Sequence, residues 1–160
     1  MSDLSPLTPD ELTEAIPHAR HRHVDTGAAE FLSQTKTKLV LVGNPNVGKS
    51  VFFNHLTGMY VDVSNFPGTT VEISHGEHPR YAVYDTPGIY GVSSFNDEER
   101  VARDIILEAD LVLNVVDAVH LERDLFLTLQ LIDMGKKIAV CLNMMDEARE
   151  RGLNIDVEEL

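Results

Sequence analysis

Apolar residues fall along the chain in two rhythms. Short runs rich in apolar residues read as strands: Thr37–Val42, Arg80–Tyr84, Leu111–Val116 and Lys137–Leu142, the last two as buried strands. Between them, apolar positions recur at helical spacing. The stretch after the first strand predicts a helix over Lys49–Thr57. Val101, Ile105 and Ile106 predict one over Asp97–Glu108. Leu121, Leu125, Leu129 and Ile132 predict an amphipathic helix over His120–Met134, stopped by Gly135. Asn143–Arg151 predicts a short helix ended by Gly152, and Asp156–Leu160 the first turn of another. Val71–Ser74 alternates like a strand, and Glu77-His78-Pro79 turns it into the run at Arg80, giving an antiparallel hairpin at a sheet edge. Gly58–Thr70, with its Pro67-Gly68 turn, and Ile89–Asn96 read as loops. The fold class is α/β: a mostly parallel sheet with one antiparallel edge hairpin and helices on both faces.

Residues 1–36 break both rhythms. They read as a flexible N-terminal extension, with a short helix near Pro9–Ile16 that Thr8 could cap. Residues 37–160 form the domain. His18, His21 and His23 admit a transition-metal reading and a solvated-tail reading; the intervening Arg20 and Arg22, which repel cations, favour the tail. The 160 residues suggest one domain, and a net charge of −13 argues against non-specific nucleic-acid binding and against docking on anionic membranes. No apolar run reaches the ~20 residues of a membrane span. Met1 opens no cleavable signal pattern. This is the profile of a soluble, cytosolic polypeptide. Cys141 is the single cysteine and sits in an apolar run, which marks it as a small core residue.

Chemistry enters with Gly43-Asn44-Pro45-Asn46-Val47-Gly48-Lys49-Ser50. It lies between a strand and a helix and has the G-x-x-x-x-G-K-S spacing of a phosphate-binding loop. Gly43 and Gly48 allow a tight turn and close approach, so that backbone N–H groups through Val51 face an anion. Lys49 is placed to reach the β- and γ-phosphates, and Ser50 to ligate Mg²⁺. Thr70 is the candidate second hydroxyl ligand, following Pro67, Gly68 and Thr69 in the loop. Asp85-Thr86-Pro87-Gly88 ends the next strand, with Asp85 placed to hold Mg²⁺ through water and the Gly88 N–H to meet the γ-phosphate.

Asn143-Met144-Met145-Asp146 follows the last strand, where a base reader belongs. A buried Asp146 carboxylate accepts from guanine N1–H and the exocyclic amine, a donor pair adenine lacks. Asn143 doubles as a helix N-cap, and Met144 can lie against the base. Ile89, directly after Gly88, has no polar atom with which to orient an attacking water. His75 and His78 read as exposed turn residues.

Taken together, these stretches resemble the translation-factor-type GTPases, and more closely the N-terminal G domain of ferrous iron transport protein B. The most telling stretches are Gly43–Ser50, Val63–Glu72, and Asn114–Ala118 leading to Leu121–Leu125. The resemblance implies a P-loop NTPase G domain that binds GTP and GDP and hydrolyses GTP slowly, coupled to Fe²⁺ uptake through a membrane region elsewhere. It also implies a K⁺ ion beside the phosphates at Asn46; a turn residue bonding its own loop is the other reading of that position. Against the family pattern, the last G-domain strand and helix, a helical domain and the membrane domain are expected to be missing. A GTPase, a nucleotide-dependent binding module with negligible turnover, and an inert fragment all stand as readings.

Overall fold

The structure, a computed structural model, describes residues 36–58, 61–93 and 95–160. The helix expected near Pro9–Ile16 and the His18, His21, His23 cluster lie outside the described residues. Among those residues one sheet is formed by β1 Thr37–Gly43, β2 Val61–Asn65, β3 Glu72–Glu77, β4 Tyr81–Asp85, β5 Leu111–Asp117 and β6 Ile138–Asn143. The helices are α1 Lys49–Thr57, α2 Asp97–Glu108, α3 Leu121–Asp133 and α4 Met145–Glu150, with a 3-10 turn, Ala118–His120, leading into α3. The strand order is β2-β3-β4-β1-β5-β6. β1 lies between β4 and β5 and runs parallel to both; β6 is parallel to β5. β3 is antiparallel to β4, and β2 to β3.

The period of two in β1 explains why its run is apolar throughout. Val40 and Val42 enter one core layer, with Val101, Ile105 and Ile106 of α2 and Leu127 and Leu131 of α3. Leu39 and Leu41 enter the other, with Val83, Leu113 and Phe53 of α1. Successive strand residues face opposite sides, so a strand covered on both faces is apolar at every position. Fully burying one such side chain contributes about 1.5–3 kcal/mol. Several together exceed the net stability of a domain, about 5–15 kcal/mol, so neither layer is dispensable. α2 starts where Asn96 accepts the Glu99 N–H at 2.7 Å, and Glu99 in turn accepts from the Phe95 N–H at 3.0 Å.

The α/β class, the parallel centre and the antiparallel β3–β4 hairpin match the sequence reading. Five expectations need correction. First, the segment read as a loop contains β2, so β2 and not the β3–β4 hairpin is one sheet edge. Val61 and Val63 alternate with Asp62 and Ser64, but all five residues of β2 are exposed, and pairing with β3 holds the strand. Second, α3 presents a different face. Asp124, Leu127, Thr128 and Leu131 are buried, while Leu129 and Ile132 are 59% and 56% exposed. The buried stripe is displaced by one residue, about 100° of helix rotation, because Asp124 is drawn inward by hydrogen bonds. Third, His75 and His78 are half-buried, and their rings stack on Tyr84 and Tyr81 at 4.8 and 5.3 Å. Fourth, residues 157–159 form an isolated turn and not the start of a helix. Fifth, the run Lys137–Leu142, read as a buried strand, forms β6, a half-buried strand at the opposite sheet edge with Val140 42% exposed.

Cys141 is half-buried against the second core layer, and burial raises its thiol pKa.

Candidate nucleotide site

The candidate residues gather at the carboxyl ends of β1, β4 and β6, where open α/β sheets bind ligands. Gly43 closes β1, and its constraint is one of space: a Cβ there would meet the Val115 carbonyl oxygen at 2.5 Å. Gly48 supplies the turn, with φ +85°. Asn46 also has positive φ, +65°, in the left-handed region that Asn tolerates. α1 then begins with no side-chain cap and no acid in its first turn. The other three described helices all carry first-turn acids. No side chain therefore satisfies the N–H groups opening α1, an arrangement suited to an anion, although the Val51 N–H donates to the Gly48 carbonyl at 3.0 Å.

Lys49, buried, places Nζ 2.6 Å from Asp85 Oδ1 and 2.6 Å from the Thr86 carbonyl. The Ser50 hydroxyl lies 3.4 Å from Asp85 Oδ2. Thr86 donates its N–H and its hydroxyl to the Leu41 carbonyl at 3.3 and 2.9 Å, and the Ile89 N–H donates to the Gly43 carbonyl at 3.1 Å. These bonds hold Asp85–Gly88 beside the phosphate loop. Lys49, Ser50, Thr70, Asp85 and Gly88 all line one cleft of about 590 Å³. Two hydroxyls and a carboxylate form an oxygen donor set suited to a hard cation such as Mg²⁺. Among the described residues no group of three or more His, Cys, Asp or Glu is arranged to hold a metal, so a cation here would share phosphate oxygens. Pro67 and Gly68 are exposed; Thr69 is occupied with its turn, donating to the Phe66 carbonyl at 3.0 Å and accepting from Val71 N–H at 3.2 Å. Val51 is 70% exposed.

At the other end of the loop, Asn143 donates Nδ2 to the Val47 carbonyl at 2.8 Å. It is not the cap of α4. The N-cap position belongs to Met144, with φ +58° and no side-chain cap bond. Asp146 was expected to be buried and is exposed, in the first turn of α4. The candidate base reader is therefore exposed and outside the core, three residues after the Asn143 that bonds the phosphate loop.

One set of contacts had no counterpart in the sequence reading. Asp124, 2% exposed, accepts from Asn44 Nδ2 at 2.6 Å, from Arg123 Nε at 2.9 Å and from the Asp117 N–H at 2.9 Å. Arg123 also lies over the Tyr90 ring, 5.9 Å from its centre. Gln130 accepts from the Val92 N–H at 3.0 Å. The available signal was an acid, Asp124, and a hydroxyl, Thr128, spaced i, i+4 beside Leu127 and Leu131 on the same helix. Nearby, burial alone would raise the Asp117 carboxyl, but His120, at 2.6 Å, and the Val119 N–H hold it below its ordinary value.

A phosphate loop between β1 and α1, a D-x-x-G turn after β4 and this strand order define a P-loop nucleotide-binding domain of the G-domain type. The sequence model of ferrous iron transport protein B matches residues 37–160, and the chain belongs to that family. It is 46% identical over 136 residues to the Fe(2+) transporter FeoB of Legionella pneumophila, covering 78% of this chain and 18% of the relative. To the Fe(2+) transporter FeoB of Helicobacter pylori it is 43% identical over 129 residues, covering 76% and 20%. The chain thus spans about a fifth of the length of these curated relatives. Among solved structures, a GDP-bound mutant of S. thermophilus NFeoB matches with TM-score 0.73 and 44% identity, covering 77% of this chain and 50% of that one. The G domain of the T. maritima FeoB iron transporter matches with TM-score 0.68 and 39% identity, covering 78% and 79%. No helix among the described residues is long and apolar enough to cross a membrane.

Proposed function

We propose that this chain binds GTP and GDP, hydrolyses GTP with Mg²⁺, and serves as the cytoplasmic nucleotide-responsive part of a ferrous iron transporter. The observation that carries the reading is the meeting of Lys49, Ser50, Thr70, Asp85 and Gly88 around one cleft at the open end of α1. The GDP-bound S. thermophilus relative supports the choice of nucleotide. Backbone N–H groups of Asn44 and of Asn46 to Val51 cradle the phosphates, Pro45 having none. Lys49, now paired with Asp85, exchanges that partner for phosphate oxygens. Ser50 and Thr70 would hold Mg²⁺ directly and Asp85 would hold it through water, an ion that would supply charge neutralisation at the phosphate oxygens. Gly88 offers its N–H to the γ-phosphate. Asn46 is the proposed ligand of a K⁺ ion, which would supply positive charge there. Asn143 ties the base loop to the phosphate loop, Met144 lies along the base, and Asp146 accepts from its N1–H and amine. The segments Gly58–Thr70 and Thr86–Asn96 respond to the γ-phosphate.

A second reading, a binding module with negligible turnover, is favoured by Ile89. It is 2% exposed and lies in the core, with no polar atom for the attacking water.

Competition of labelled GDP by GTP, GDP, ATP and XTP tests the nucleotide assignment. GTP and GDP should compete and ATP should not. Asp146→Asn should gain XTP and lose GTP. Equal competition by ATP and GTP would sink the assignment.

A further inference from the structure

Asn44 is the second residue of the phosphate loop, and its side chain does not face the loop's interior. It is 2% exposed and donates to Asp124 Oδ1 of α3, eighty positions along the chain. Asp124 is itself 2% exposed and receives two further donors, Arg123 Nε and the Asp117 N–H. Three donors converge on two carboxylate oxygens. Only an ionised acid offers acceptors in every direction; an amide at position 124 would turn an N–H₂ toward at least one donor. The same carboxylate decides how the Asn44 amide is turned, with Nδ2 toward Asp124. The Asn44 Oδ1 atom, buried, has no hydrogen-bond partner. A buried charge is tolerable only when hydrogen-bonded and paired, and these three donors meet that condition.

We propose that Asp124 is a positioning residue for the nucleotide site. It fixes the phosphate loop through Asn44 and so sets nucleotide affinity without touching the nucleotide. The inference rests on the nucleotide-binding role argued above. α3 is well placed for the task. Its inner face holds the phosphate loop through Asp124. Arg123 over Tyr90, and Gln130 accepting from Val92, reach from the same helix to the loop after Asp85.

The test is a double-mutant cycle of Asn44→Ala and Asp124→Ala in the full chain, reading Kd for a fluorescent GDP with Mg²⁺ and, separately, thermal unfolding. Thr128→Val is the control. Thr128 is also buried on α3 and accepts from Asn114 Nδ2 at 2.6 Å, on β5 rather than on the loop. Each single variant should raise Kd about tenfold, the worth of one charge-assisted hydrogen bond. The double variant should be no worse than the weaker single. Thr128→Val should lower Tm and leave Kd unchanged. If both loop variants lower Tm with Kd unaltered, or their effects on Kd multiply, the positioning role is overturned. If Asp124→Ala fails to fold, Asn44→Ala against Thr128→Val decides alone: Kd raised tenfold supports the role, and Kd unchanged ends it. Failure of the wild type to bind GDP would instead overturn the nucleotide reading, and this inference with it.

Discussion

Asn143 and Val47 are joined by a 2.8 Å hydrogen bond that spans ninety-six positions of sequence. It ties the loop after β6 to the loop after β1, and so links the proposed base and phosphate ends of the site. Removing the donor leaves a carbonyl short of a partner and frees the base loop. Asn143→Ala is expected to weaken GDP binding about tenfold and to destabilise the fold by about 1 kcal/mol. Fluorescent-GDP titration and urea unfolding check the two effects; an unchanged Kd would separate the bond from the site.

Gly88 lies against Pro45, and a Cβ on residue 88 would come within 2.8 Å of the Pro45 Cα. Backbone on both sides leaves no flexible atom to yield. Gly88→Ala should cost about 1–3 kcal/mol of stability, as overpacking does. It should also depress GTP binding more than GDP binding, since only GTP offers the γ-phosphate. Unfolding curves with titrations of both nucleotides measure this, and equal loss for the two would remove Gly88 from the γ-phosphate role.

Asn46, exposed and at φ +65°, has two candidate roles with different outcomes. As a K⁺ ligand it makes wild-type hydrolysis faster in KCl than in NaCl, and Asn46→Ala abolishes the difference while keeping GDP binding. As a turn residue alone it gives equal rates in both salts. Single-turnover hydrolysis in matched ionic strength distinguishes them.

The depressed pKa of Asp117 carries a pH dependence. Its folded-state value lies below the unfolded one, so its stabilisation is complete above the unfolded value, about pH 4, and is lost as pH falls through the folded value. Asp117→Asn should therefore be less stable than wild type at pH 7, and the gap should narrow on acidification from about pH 5 to pH 3. Urea denaturation at several pH values checks this. A gap constant with pH would show that the Asp117 charge adds nothing.

The central strands β1 and β5 were legible because their runs are almost wholly apolar, whereas β6, equally apolar, is only half-buried because it lies at an edge. The phosphate loop and the Asp85–Gly88 turn were legible because their spacing is dictated by local backbone geometry. β2 was not. Its Val61 and Val63 remain 39% and 54% exposed, so the strand depends mainly on pairing with β3, and its short alternation is a weak signal in hydropathy. The buried face of α3 was misread for the opposite reason. Leu129 and Ile132 advertise an apolar stripe, while Asp124 and Thr128, polar residues, take the inside through hydrogen bonds to Asn44 and Asn114. Long-range polar partnerships of that kind cannot be inferred from periodicity.

With no residue of β2 fully sheltered from solvent, its ladder to β3 is the principal thing keeping it in place. Detaching it would uncover only the covered parts of Val61 and Val63. Amide exchange along Val61–Asn65 should therefore be almost insensitive to added urea, the mark of a local fluctuation, while β1 and β5 exchange only when the entire molecule opens. Phe66, buried just after β2 and donating its N–H to the Val71 carbonyl at 2.9 Å, would halt that fraying short of Thr70.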